Sequence, residues 1–74
     1  MNLTPQQEKL FHCLEKVSPE SLWGLAIHKV LKEANGEKLD ALVDQLQSQN
    51  RDNPAIMQEI LTGPCYEALV NYQR

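Results

Sequence analysis

The sequence predicts an all-α fold, a compact single-domain bundle of four to five short helices over residues 1–74. Two observations support this prediction. Apolar residues recur at spacings of three and four, the period of an amphipathic helix, and no segment alternates with the period of two that a strand requires. The four prolines stand where helices begin, because proline lacks the N–H that the first turn of a helix leaves unpaired.

Capping residues place the helix starts in order along the chain. Each start has a candidate cap before it: Thr4 before Pro5, Ser18 before Pro19, Asn35 with Gly36, Asn53 before Pro54, and Gly63 before Pro64. The first of these is a full capping box, with Gln7 placed to reach back to the N-cap. The last either opens a fifth helix or only kinks a continuous fourth one. The predicted helices are 5–16, 19–34, 37–49, 54–62 and 64–73.

The second predicted helix carries the sharpest candidate for a binding surface. Its apolar arc covers about half of the helix circumference and needs more than one neighbour, so we expect this helix at the centre of the bundle. Gly24 costs about 1 kcal/mol relative to alanine inside a helix, which indicates the close approach of another helix or of a ligand. Either Trp23 anchors the core, or part of the surface formed by Leu22, Trp23, Leu25 and Ile27 is exposed and binds a partner protein or a second copy of the chain.

The third predicted helix carries a pair of carboxylates, Asp40 and Asp44, four residues apart. They form either a solvated acidic face or a contact face for a basic partner. The polar tract from Gln45 to Asn53 is expected to end in a solvated connection, a hinge between three N-terminal helices and a C-terminal pair.

Charge is unevenly distributed along the chain. Residues 1–38 carry five lysines against five glutamates, whereas residues 39–74 carry two arginines against five acidic residues and so supply the whole net charge of −3. A nucleic-acid-binding protein takes most of its affinity from a basic patch that neutralises phosphates. We therefore expect no direct nucleic-acid binding, and a basic or apolar protein surface as partner.

The expected location is cytoplasmic, in the cell that makes the protein or in its host. No apolar run approaches the roughly 20 residues that span a bilayer, so no membrane segment is expected. Residues 1–7 lack the basic and apolar segments of a signal peptide.

The cysteines and histidines offer little for catalysis or metal binding. Cys13 and Cys65 each lie within an amphipathic pattern and are expected to be small buried hydrophobic residues, with a disulfide between them as the alternative. His28 falls on the polar arc of the second predicted helix, where we expect it to be solvated. None of the Cys and His spacings that bind zinc occurs. No cofactor, no metal site and no enzymatic activity are expected.

By elimination, the sequence predicts a small non-enzymatic protein that acts through protein–protein contact, as a regulator, adaptor or inhibitor. Two alternatives stay open. One is an accessory factor in nucleic-acid transactions, which acts through a bound protein or through a local basic face made of Lys29, Lys32 and Lys38. The other is an acidic inhibitor of the immunity or antitoxin type, directed at a basic toxin.

Overall fold

A computed structural model describes residues 3–73, and these residues form five α-helices and no strand. The helices are α1 (Pro5–Glu15), α2 (Gly24–Glu33), α3 (Gly36–Asp52), α4 (Pro54–Ile60) and α5 (Pro64–Val70). The prediction of an all-α bundle of short helices is confirmed. Within the described residues, no helix combines the length and the apolar character needed to cross a membrane.

Three of the four prolines open helices as predicted. At α1, the Thr4 hydroxyl accepts from the Gln7 N–H at 3.1 Å, and the Gln7 side chain accepts from the Thr4 N–H at 2.9 Å, which completes the capping box. Asn53 caps α4 through the N–H of Ile56. Pro64 opens a separate α5, because Gly63 before it turns the chain at φ 57° and ψ −130°, a conformation open almost only to glycine.

The prediction that Pro19 starts the second helix is wrong. The Ser18 hydroxyl accepts from the Glu20 N–H at 3.2 Å, but the chain then turns back and α2 begins at Gly24. An ideal Cβ on Gly24 would lie 2.2 Å from the Ser18 carbonyl oxygen. A continuous helix would hold these two residues about 9 Å apart along its axis, so this packing requires the turn. Trp23 completes the turn in the left-handed region, at φ 72°.

The hinge predicted for the later part of the tract from Gln45 to Asn53 is also wrong, because α3 continues through the tract to Asp52. Asn53 alone separates α3 from α4, serving as C-cap of the first and N-cap of the second. At its other end, α3 is capped by the Asn35 side chain, which accepts from the N–H groups of Glu37 and Lys38 at 2.9 and 3.2 Å.

The core is apolar and is organised around α3 rather than α2, contrary to the prediction. Helix α3 packs against each of the other four helices, whereas α2 packs mainly on α1 and α3. No charged or polar residue is buried within the described part of the chain. The buried side chains are Leu10, Leu14, Val17, Ile27, Leu31, Leu39, Leu42, Val43, Leu46, Met57, Leu61, Leu69 and Tyr72.

A disulfide bond joins α1 to α5 through Cys13 and Cys65, whose Cα atoms are 5.5 Å apart. Both cysteines are only partly buried at the edge of the core. The expectation of two small buried thiols is therefore wrong, and the alternative is what the structure shows. The ends of the described chain are tied together as well: the Gln6 side chain donates to the Gln73 carbonyl at 2.5 Å and accepts from the Gln73 N–H at 2.9 Å.

Candidate protein-binding surface

The turn before α2 brings two leucines to the surface side by side. The Leu22 side chain is 61% exposed and that of Leu25 is 77% exposed. Within the described residues, Val70 on α5, at 48%, is the one other large apolar side chain with comparable exposure. The left-handed Trp23 lies between the two leucines, so the strained turn itself sets their positions.

These leucines belong to an open depression, which we call the α2 surface. It is lined by Pro19, Glu20, Ser21, Leu22, Trp23, Leu25 and Ala26. At Ala26 it meets a second depression, the α2–α3 groove, lined by Ala26, Lys29, Val30, Glu33, Lys38, Ala41, Leu42 and Gln45. Apolar side chains therefore run continuously along one face of the molecule, from the turn before α2 to the groove beside α3.

The four residues predicted for this surface have different roles. Leu22 and Leu25 are exposed, as a binding surface requires. Trp23 is partly buried against the core and also lines the α2 surface, so it contributes to both. Ile27 is fully buried, and its inclusion in the surface is wrong. Its position on α2 turns it inward to the core cluster, one helical turn from Gly24.

Charged side chains lie at the two ends of this face. Glu20 stands at the α2 surface, and Lys29 stands at the groove. Within residues 3–73, neither the Glu20 carboxylate nor the Lys29 ammonium forms an ion pair. Lys38, by contrast, pairs with Glu33 across the connection between α2 and α3. This pair removes one of the three lysines from the basic face considered for nucleic acid.

The predicted Asp40–Asp44 face is divided by the structure. Asp40 is half-buried, and its carboxylate accepts from the Tyr72 hydroxyl at 2.5 Å and from the Gln7 amide at 3.2 Å. These contacts tie α1, α3 and the C-terminal segment together, so Asp40 serves the fold rather than an external contact. Asp44, one turn further along α3, is exposed.

The histidines are placed in two different environments. His28 is partly buried, and its Nε2 lies 2.5 Å from the Val17 carbonyl, so the expectation of a solvated histidine is wrong. Because a carbonyl oxygen only accepts, Nε2 carries the proton in this contact. His12 is exposed on α1, with Nδ1 2.9 Å from Glu15. The described residues contain no group of three His, Cys, Asp or Glu side chains placed to hold a metal ion.

Sequence reasoning missed two side-chain contacts between residues that are far apart in the sequence. The His28–Val17 contact and the Asp40–Tyr72 contact join positions 11 and 32 residues apart. No local pattern signals such pairs, because helical periodicity reports only neighbours three or four positions away. The continuity of the α2 surface with the α2–α3 groove likewise depends on how two helices pack.

Comparison with known proteins gives no functional information: no protein-family model, no curated protein sequence and no solved structure matches the chain.

Proposed function

We propose that this chain is a non-enzymatic protein that acts through protein–protein contact, as a small regulator, adaptor or inhibitor. The observation that carries the proposal is the exposure of Leu22 and Leu25 beside the half-buried Trp23. Contiguous apolar surface of this kind marks contact sites in soluble proteins, and tryptophan is enriched among the residues that dominate binding energy.

Burial of the two exposed leucines would favour contact with a partner, but its free energy alone is too small for a micromolar complex. Complete burial of a leucine side chain contributes roughly 1.5–3 kcal/mol, so the exposed fractions of Leu22 and Leu25 together hold about 2–4 kcal/mol. A micromolar complex needs about 8 kcal/mol. The partner must therefore cover Trp23 and the α2–α3 groove as well as the two leucines.

The environments of the reactive side chains favour a binding role over catalysis. His28 donates to a backbone carbonyl, and both cysteines are held in the disulfide. A nucleophile needs a free thiol or hydroxyl with a base beside it in a walled site. The depressions at α2 are open, and apolar and charged side chains line them together, which suits another protein surface better than a small substrate.

Replacing Leu25 with serine tests the proposal, with Val70→Ser as the matched control on α5. Both side chains are exposed, so each variant should retain the thermal stability of the wild type within about 0.5 kcal/mol. We expect Leu25→Ser, and not Val70→Ser, to lose the proteins that the wild type retains from native lysate. The proposal is wrong if Leu25→Ser retains the same proteins as Val70→Ser at equal loading.

The proposed location is the cytoplasm, and the Cys13–Cys65 bond is the observation against it, since disulfides persist mainly in oxidising compartments. Blocking free thiols at the moment of lysis and measuring the mass of the intact chain would decide between the cytoplasm and an oxidising compartment. Two blocked thiols support the cytoplasm, and an unblocked, bonded pair contradicts it.

A further inference from the structure

We infer that the face formed by the α2 surface and the α2–α3 groove binds the same face of a second copy of this chain, with the two α2 helices antiparallel and a two-fold axis near Ala26. This inference rests on the proposed function and names its partner. A two-fold contact uses one patch twice, so the patch must be complementary to itself after rotation. The α2 surface and the α2–α3 groove satisfy this requirement in shape and in charge.

Ala26 gives the face a shape that lets two copies approach each other. It is the residue common to the lining of both depressions, so it lies at the middle of the continuous apolar face. Its side chain is exposed and small, as is that of Ala41 across the groove. Small residues at a crossing point let two helices approach closely, while larger side chains on either side fill the facing groove.

The leucines on one side of Ala26 match the groove on the other side. Leu22 and Leu25 line the α2 surface on one side of Ala26, and Val30 lines the α2–α3 groove on the other side. Rotation about an axis at Ala26 therefore brings the α2 surface of each copy over the α2–α3 groove of the other. The groove offers the partly buried Val30 and the exposed Ala41 as apolar surface to the incoming side chain. Both exposed leucines would be covered by such a contact.

The charges follow the same symmetry. Glu20 stands at the α2 surface, before Ala26, and Lys29 stands at the groove, after it. Neither side chain has an ion-pair partner within residues 3–73. Rotation brings the acidic end of each copy to the basic end of the other, so the dimer contains this pairing twice.

A dimer interface of standard size would cover a small share of the surface of this chain. A standard interface covers about 800 Å² on each partner, which is about a sixth of the 4818 Å² surface of this chain. Because the apolar part of the face is modest, we expect a dissociation constant in the range of roughly 1–100 μM. Sedimentation velocity or light scattering over about that concentration range measures it directly.

Charge exchange between two variants tests the arrangement. Glu20→Lys alone places two lysines opposite each other at each contact, and Lys29→Glu alone places two glutamates there, so each variant should raise the dissociation constant at least about 10-fold. An equimolar mixture of the two variants forms mixed dimers in which both contacts join a lysine of one copy to a glutamate of the other. The mixture should therefore dimerise more tightly than either variant alone, to within about 3-fold of the wild-type dissociation constant.

The double variant Glu20→Lys with Lys29→Glu restores the pairing, because the exchanged charges meet as opposites at both contacts of its own dimer. It should return the dissociation constant to within about 3-fold of the wild-type value. Lys9→Glu, an exposed charge reversal on α1, is the matched control and should dimerise as the wild type does.

The outcomes separate this inference from the proposed function. A wild-type dimer that both single reversals weaken, and that the double variant restores, supports the antiparallel contact. A monomer at about 500 μM, well above the expected dissociation constant, or a double variant no stronger than either single one, overturns it. If the chain is monomeric yet retains a different protein through Leu25, the proposed function stands and the second copy is the wrong occupant. If it is monomeric and retains nothing through Leu25, both proposals fail.

Discussion

Replacing Gly24 with alanine probes the close approach between the start of α2 and the turn before it. The added methyl group would lie 2.2 Å from the Ser18 carbonyl oxygen and 2.7 Å from both the carbonyl carbon and the carbonyl oxygen of Pro19. Ordinary carbon–oxygen contact needs roughly 3.5 Å, so the turn would have to retreat by about 1 Å. These are backbone atoms, which have no flexible end that can move aside.

The expected cost is a loss of stability of about 2 kcal/mol or more. Forcing extra atoms into a packed site costs typically about 1–3 kcal/mol, and more when backbone must move. The better helix propensity of alanine offsets at most about 1 kcal/mol, and less at the first position of a helix. For a domain of this size, about 2 kcal/mol corresponds to a fall in melting temperature of roughly 8–16 °C.

Gly36→Ala provides the matched control, since Gly36 is the first residue of α3 as Gly24 is of α2. The atoms nearest to its added methyl group would belong to the end of the Gln7 side chain, at 3.1–3.5 Å. We expect a change within about 1 kcal/mol for this variant, measured by urea denaturation with the disulfide intact. If the two variants lose equal stability, the packing of Gly24 on the turn is refuted.

Three further changes have defined outcomes. Ala34 is held in the left-handed region at φ 50°, so Ala34→Gly should change the free energy of unfolding by less than about 0.5 kcal/mol. Ala41→Gly, inside α3, should lower it by about 1 kcal/mol. Equal losses in the two variants would contradict the left-handed conformation of Ala34. Tyr72→Phe removes the hydroxyl that donates to Asp40 and should lower the free energy of unfolding by about 1.5–3 kcal/mol, measured by urea denaturation. Tyr66→Phe should lower it less, because the Tyr66 hydroxyl donates to a neutral amide. A larger loss for Tyr66→Phe than for Tyr72→Phe would rule out the contact with the Asp40 carboxylate. Reducing the disulfide between α1 and α5 opens a loop that spans 52 positions. The lost restriction of the unfolded chain should lower the free energy of unfolding by about 4 kcal/mol. Identical urea midpoints with and without a dithiol reductant would show that the bond is absent or without effect.

Local signals in the sequence predicted most helix starts. The Thr4 capping box, the Asn53 cap and the opening of α5 at Pro64 are contacts among residues within a few positions of one another. The same kind of signal failed at Pro19. A capping serine before a proline stabilises a single turn as well as a helix start, and the packing of Gly24 on that turn decides between them.

The candidate surface was predicted in part, for a related reason. Helical spacing placed Leu22, Leu25 and Ile27 on one broad apolar arc, but it could not say which part of the arc faces α1 and α3. The structure turns Ile27 into the core and leaves the leucines outside. Asp40 shows the limit of local reasoning, because the Tyr72 hydroxyl that engages it comes from 32 positions away.

The reciprocal hydrogen bonds between Gln6 and Gln73 place the two ends of the described chain next to each other. A short flexible linker could therefore join them without disturbing the bundle, and the chain could be reopened elsewhere. The exposed connection at Thr62 and Gly63, between α4 and α5, suits the new ends. In such a permuted chain the helices would keep their arrangement in space, while their order along the sequence would change. The disulfide would then join α5 and α1, which follow each other in the permuted sequence.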